Sequence, residues 1–227
     1  MLIARPERVA AVRANARLLL VSDVDSTFIG QEVIDLVAAH AGAQIEVEAI
    51  TAAAMRGELD FAASLRARVA ALAGVPIEAL AAVREQVSLT PGVVELLAWA
   101  RRRGHSVGLV SGGFHEIIDP LAATHGIRHV RANRFATANG RLTGDLAGPI
   151  IDRAAKALAL SEFARAEGLP EAACVAIGDG ANDVAMMARA GLAVAFAGKP
   201  AAVGVADVAL PGPRLDDLLD VLDPGAR

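Results

Sequence analysis

The chain has 227 residues, 54% of them hydrophobic and 21% charged, with a formal net charge of −4. That length suits one sizeable domain, or a core with a smaller insertion, and it buries a hydrophobic core without covalent staples. With aromatics at 3%, no tyrosine and no long basic run, nucleic acid is not an expected partner, and the single cysteine, Cys174, excludes an intrachain disulfide framework.

The first sixteen residues are basic and weakly patterned, room for one short helix and too little for a further domain. The apolar run Leu18-Leu19-Leu20-Val21, closed by Ser22, predicts a buried strand of a parallel sheet. It is far too short to span a membrane, and no secretory signal precedes it, so a cytoplasmic protein without membrane attachment is expected. From Glu32 to Ser88 the pattern changes to consecutive helices, expected over 32–40, 45–55, 60–72 and 77–86 and punctuated by Gly42, Gly57, Gly74 and Pro76. A helical block between the first and second strands reads as a cap over the sheet's carboxyl edge.

A helix is predicted from Pro91 to Gly104, with a proline start and a glycine stop. Val107-Gly108-Leu109-Val110 is the next strand, ending at Ser111. Asn139-Gly140 between short alternating runs marks a hairpin over 134–144. A helix over 154–167 leads to Cys174-Val175-Ala176-Ile177, where Cys174 is expected as a small buried filler. A helix over 182–189 and strands at 192–196 and 208–210 complete the chain. Alternation of this kind predicts an α/β fold with a parallel sheet and crossover helices. The expected domains are a core of 1–31 and 89–227 and a helical cap of 32–88.

Open parallel sheets bind ligands beyond the carboxyl ends of their strands. The residues predicted there are Asp23 and Asp25, then Ser111-Gly112-Gly113, then Asp179, Asn182 and Asp183. Carboxylates from two strands would repel one another at one edge. A hard divalent cation removes the conflict, and magnesium suits one or two carboxylates with phosphate and water. Singly, each feature has a plain alternative: Asp-x-Asp as a turn or cap, Gly112-Gly113 as a tight turn, Lys156 as a solvated surface lysine, Asn182 as a helix N-cap. Their order along the chain, each at a strand end or helix start, is what points to one site.

Asp23-Val24-Asp25-Ser26-Thr27, Ser111-Gly112-Gly113-Phe114, Lys156 and Gly178-Asp179-Gly180-Ala181-Asn182-Asp183 resemble the successive motifs of the haloacid dehalogenase superfamily, and in wording its phosphoserine phosphatase branch. The resemblance runs from about Leu18 to Leu210. It implies a haloacid dehalogenase-like, Rossmann-like core with a small helical cap after the first strand, and a phosphoserine phosphatase using Mg2+. It implies Asp23 as the nucleophile that becomes phosphorylated and Asp25 as general acid and base. Magnesium would be held by Asp23, the Asp25 backbone carbonyl and Asp179, with Asp183 orienting Asp179 or the metal's water. Ser111 and the Gly112 amide would hold phosphate oxygens, Lys156 would balance charge, and Asn182 would help to hold the substrate or the lysine.

The cap would choose the substrate. Phe61, Leu65 and Leu72 form a helical stripe on which Arg68 falls. Arg68 either snorkels to the surface or presents a fork to a carboxylate. Glu32 either favours a helix N-terminus or pairs with an ammonium group. The resemblance implies Glu32, Arg68, Met55 and Phe61 as the residues recognising phosphoserine, with Met55 and Phe61 as an apolar lid. Alternatives are a small-capped phosphatase or phosphotransferase acting on another phosphoester such as phosphothreonine, and, from a different class, a non-catalytic phosphate-binding module. Two positions depart from the pattern: Val24 is smaller than usual, and Pro120 would kink or shorten the helix after Phe114.

Overall fold

Short apolar runs bounded by glycine, proline and acidic residues become strands in the computed structural model, which describes residues 1–225. In chain order the strands are β1 (Leu2–Ile3), β2 (Leu19–Ser22), β3 (Ser106–Phe114), β4 (His129–Asn133), β5 (Phe135–Ala138), β6 (Arg141–Leu146), β7 (Cys174–Gly178), β8 (Leu192–Phe196) and β9 (Val208–Leu210). The helices are α1 (Pro6–Arg13), α2 (Val33–Ala41), α3 (Gln44–Met55), α4 (Phe61–Ala70), α5 (Ala79–Glu85), α6 (Val93–Arg102), α7 (His115–Thr124), α8 (Arg153–Ala166), α9 (Val184–Arg189), α10 (Pro200–Val203) and α11 (Leu218–Leu222).

Seven strands form one sheet in the order β1-β9-β8-β7-β2-β3-β4, parallel except for β1 against β9, while β5 and β6 make a separate hairpin. Strand β2 is an interior strand, between β7 and β3. Its last residue, Ser22, pairs with Leu109 of β3 on one side and Ile177 of β7 on the other. The chain moves outward in opposite directions from β2, so the crevice above its carboxyl end is the switch point where an α/β sheet receives a ligand.

Side chains alternate across the sheet. Leu18 and Leu20 enter one apolar cluster, Leu19 and Val21 the other, with Phe163 of α8 and Met186 of α9. The first cluster runs without a break from Leu20, Leu109 and Ile177 into Val37, Val47, Leu65 and Leu72, so the helices between β2 and β3 share the sheet's core. Val24 is fully buried in it. Cys174 is buried and free, and burial pushes its thiol up to about 12, as suits a filler.

Two strands escape the periodicity argument. β1 is two exposed residues recruited as an antiparallel edge, and β4 reads His-Val-Arg-Ala-Asn, an edge strand with too many polar residues to look buried. Pro120 does not cut its helix short. Helix α7 runs through it. The missing N–H would have bonded to the carbonyl of Glu116, and that oxygen instead accepts from Arg84 Nη1 of α5 at 3.4 Å. Among the described residues, no helix is long and apolar enough to cross a membrane.

Candidate active site

Asp23 is the first residue beyond β2, and its N–H continues the ladder by donating to Ile177 O at 2.9 Å. This fixes its carboxylate beside Asp179, which follows β7 in the same way. From above, α8 begins at an Asp152 cap whose carboxylate accepts from Ala155 N–H. One residue on, Lys156 extends a fully buried side chain to the strand ends. Its Nζ lies 2.7 Å from Asp23 Oδ1 and 2.8 Å from Asp183 Oδ1. The second oxygen of Asp183 accepts from the N–H groups of Asp179 and Gly180, both at 3.1 Å. Gly178 makes this possible: a Cβ there would sit 2.4 Å from Asp183 Cγ.

Asp25 is held separately. Its Oδ1 accepts from the N–H of Val33 at 2.7 Å and its Oδ2 from Ser111 Oγ at 2.9 Å, while Ser111 Oγ accepts from Gly113 N–H at 2.7 Å. A Cβ on Gly113 would come within 2.9 Å of Asp25 Oδ2, so glycine is required where β3 passes the carboxylate. Burial raises the pKa of Asp25, with the Val33 amide and Ser111 hydroxyl opposing. Burial also raises that of Asp23; Lys156 opposes, and Asp183 and Asp25 add to the rise. For Lys156, burial disfavours the charge, but Asp23 and Asp183 outweigh it and the pKa rises.

Four carboxylates, Asp23, Asp25, Asp179 and Asp183, thus meet two ammonium groups, Lys156 and Lys199. Oxygens of Asp23, Asp179 and Asp183 lie within 4.8 Å of one another, and all three residues are buried. An all-oxygen set with surplus negative charge fits a hard divalent cation, so the cluster could hold a metal ion.

The cluster forms the floor of a cleft of about 550 Å3, whose walls include Glu32, Met55, Phe61, Arg68, Gly112 and Asn182. Glu32, just before α2, takes a hydrogen bond from Ser26 Oγ at 2.9 Å, made possible by a left-handed Ser26 at φ 56°. Burial and the charge of Asp25 push Glu32 up to about 7, against the Ser26 bond and Lys199. Arg68 of α4 is half-buried, and its Nε is buried with no hydrogen-bond partner among the described residues. Burial lowers its pKa, with Asp35, Glu32 and Asp25 opposing. The Phe61 ring packs over Gly112, 3.4 Å from where a Cβ would be. Met55 lines the cleft but is 82% exposed, so here it stands at an open rim instead of covering the floor. Asn182 is no helix cap: α9 starts one residue later, after Asp183.

Two site residues escaped the sequence reading. Buried Asn133, at the end of β4, donates from Nδ2 to Gly112 O at 2.7 Å and accepts at Oδ1 from Ile151 N–H at 2.8 Å, tying the carboxyl end of β3 to the approach to α8. Lys199, after β8, places Nζ 2.9 Å from Asp179 Oδ2. Both lie at carboxyl ends of parallel strands, a signal that marks Lys199 after β8 but not Asn133, because β4 does not read as a strand.

The sequence profile of the haloacid dehalogenase-like hydrolases matches residues 20–188. The phosphoserine phosphatase of Streptomyces coelicolor is 50% identical over 213 residues, covering 94% of this chain and 52% of that protein. The chain therefore spans about half of that relative's length. The phosphoserine phosphatase of Lactococcus lactis is 46% identical over 186 residues, 82% of this chain and 86% of that one. A solved structure of a phospho-aspartyl intermediate analogue of phosphoserine phosphatase superposes with a TM-score of 0.85 at 37% identity, covering 91% of this chain and 99% of the other.

Proposed function

Since this chain belongs to the haloacid dehalogenase-like hydrolases, within their phosphoserine phosphatase branch, we propose that it hydrolyses O-phospho-L-serine to L-serine and phosphate through an aspartyl phosphate at Asp23. One observation carries the chemistry: two aspartates leave the same strand, one paired to a buried lysine and the other hydrogen-bonded to a serine at the neighbouring strand's end. The carboxylate beside Lys156 attacks phosphorus while the ester oxygen of serine departs with a proton from Asp25. Asp25 then takes a proton from water as that water attacks the acyl phosphate, releasing inorganic phosphate and restoring Asp23. An acid with a raised pKa, protonated when substrate arrives, suits the first step, and general acid–base help of this kind contributes about 10²–10⁴-fold.

Asp23, Asp179 and the backbone carbonyl of Asp25 would hold Mg2+, which neutralises the carboxylates and draws charge from the phosphoryl oxygens when bound. Asp183 has both oxygens engaged by Lys156 and the Asp179–Gly180 amides, which supports a positioning part for it. Ser111 and the Gly112 amide would receive phosphate oxygens, Lys156 beside Asp23 would balance their charge, and Asn182, which lines the cleft with Gly112, would help to hold the substrate.

Phosphoserine adds a carboxylate and an ammonium to the phosphate. Arg68 offers an unpartnered Nε and Glu32 a carboxylate on the cleft wall, an opposed pair matching both groups. Phe61 and Met55 would exclude water once residues 32–88, acting as a cap on the core of 1–31 and 89–227, close over the substrate. The test is kcat/KM with Mg2+ for L-phosphoserine, phosphothreonine and an aryl phosphate. A preference for phosphoserine is expected; equal or lower turnover of phosphoserine than of the aryl phosphate would sink the assignment of Glu32 and Arg68.

A further inference from the structure

Lys199 lines the cleft beside Asp179 and has no part in the reaction above. Its side chain is 61% exposed, yet its Nζ reaches buried Asp179 at 2.9 Å. Its backbone N–H also donates to Asp179 O at 2.7 Å, and Pro200 behind it opens α10 and favours the extended backbone found at Lys199, φ −68° and ψ 159°. The lysine is thus anchored at its root and loose at its tip. Among the described residues, Lys199 is the ion-pair partner of Asp179, because Lys156 is committed to Asp23 and Asp183.

We propose that Lys199 is a built-in counter-ion that occupies Asp179 until a divalent cation displaces it, and so sets the cation affinity of the site. The physical reasoning has three parts. A buried carboxylate left without a compensating charge is strongly disfavoured, so the cation-free protein needs a positive group at Asp179. An ammonium on a flexible stem is a point charge that can leave as readily as it arrives, unlike a guanidinium fork. The exposed stem gives it water to retreat into, whereas Lys156, sealed on all sides, has none. Lys199 is a positioning residue here: it acts through Asp179.

The proposal rests on Asp179 being a cation ligand, and its test needs no substrate. Mg2+ is titrated calorimetrically into the metal-free full chain as wild type, Lys199→Met, Lys199→Gln and Lys199→Arg, and each is melted with and without Mg2+. The two neutral variants should bind Mg2+ roughly two- to fivefold more tightly, the range an exposed ion pair supports. They should also melt lower without Mg2+ and gain more from it than wild type, while Lys199→Arg, whose fork leaves Asp179 less readily, should bind Mg2+ no more tightly than wild type. Mg2+ affinity unchanged or weakened in both neutral variants would overturn the proposal. If wild type binds Mg2+ and hydrolyses phosphoserine in that case, the catalytic assignment survives and only the role of Lys199 falls. A wild type that binds no Mg2+ would remove both.

Discussion

Asp23 and Asp25 are two residues apart, and the proposed reaction makes opposite demands on them: one must be ionised to attack, the other protonated to release serine. The Lys156 ammonium favours ionised Asp23 against its burial, whereas burial raises the pKa of Asp25 against the Val33 amide and the Ser111 hydroxyl that it touches. Asp23→Asn should lower kcat by more than about 10³-fold with the melting temperature nearly kept, because it removes the nucleophile and little packing. Rapid-quench assays on radiolabelled phosphoserine should find no phosphoenzyme, and retained turnover would contradict the covalent step. Arg68→Ala should cost phosphoserine roughly 10–100-fold in kcat/KM, the worth of a charged hydrogen bond, and leave an aryl phosphate nearly unchanged. Glu32 gives a pH signature. Its carboxyl sits at about 7 in the substrate-free cleft, so it is neutral below and anionic above. Only the anion attracts an ammonium, so kcat/KM for phosphoserine divided by that for an aryl phosphate should rise, by roughly tenfold between about pH 6 and pH 8. Taking the ratio cancels ionisation of the phosphate itself. A flat ratio, or the same slope in Glu32→Gln, would exclude Glu32 as the ammonium partner.

At the scale of elements, the site depends on strands ending in register. β3 carries Ser111 and Gly112 to the edge, and Asn133 from β4 ties its carboxyl end down at Gly112. Asn133→Ala leaves the buried Ile151 N–H without its acceptor, which should cost about 1–3 kcal/mol of stability. Because that strand end would serve every phosphate, kcat/KM should fall alike for phosphoserine and aryl phosphate, the opposite of Arg68→Ala. Selective loss on phosphoserine would show that Asn133 acts on the amino-acid end. That Asn133 went unnoticed while Ser111 did not has a physical cause. β3 is an interior strand covered on both faces, and burial leaves an apolar run in the sequence. β4 is an edge strand, half wetted, and its His-Val-Arg-Ala-Asn pattern resembles a loop. Helices were legible where one face is apolar and a glycine ends them, as for α2 at Gly42. That α7 continues past Pro120 was not legible, and the freed Glu116 carbonyl meets Arg84 of a different element, a contact that local pattern cannot contain. Lys199 was visible as a strand end, but its pairing with Asp179 is a meeting of β7 and β8 that only three dimensions show.

For the whole molecule, the question is how a helical insertion that must admit substrate can stay part of a stable protein. Helices α2 to α5 do not sit on a separate core: Val37, Leu65 and Leu72 are within the cluster that holds Leu20 of β2 and Ile177 of β7. Elements that share buried apolar surface gain stability together and lose it together. Heating should therefore give one transition, with calorimetric and van't Hoff enthalpies in agreement. Leu65→Ala, at 1% exposure far from the sheet in sequence, should cost about 2–5 kcal/mol and lower the melting of the sheet along with its own helix. Hydrogen exchange can separate the two, since amides of β2 and β7 should lose protection in this variant as much as those of α4. A variant in which α4 opens early while β2 and β7 keep wild-type protection would mean that the insertion unfolds alone. Closure of the cap over substrate is then expected at the end of α3, where Met55 is exposed and little beyond Val47 is buried, while the rest of the insertion stays on the shared core.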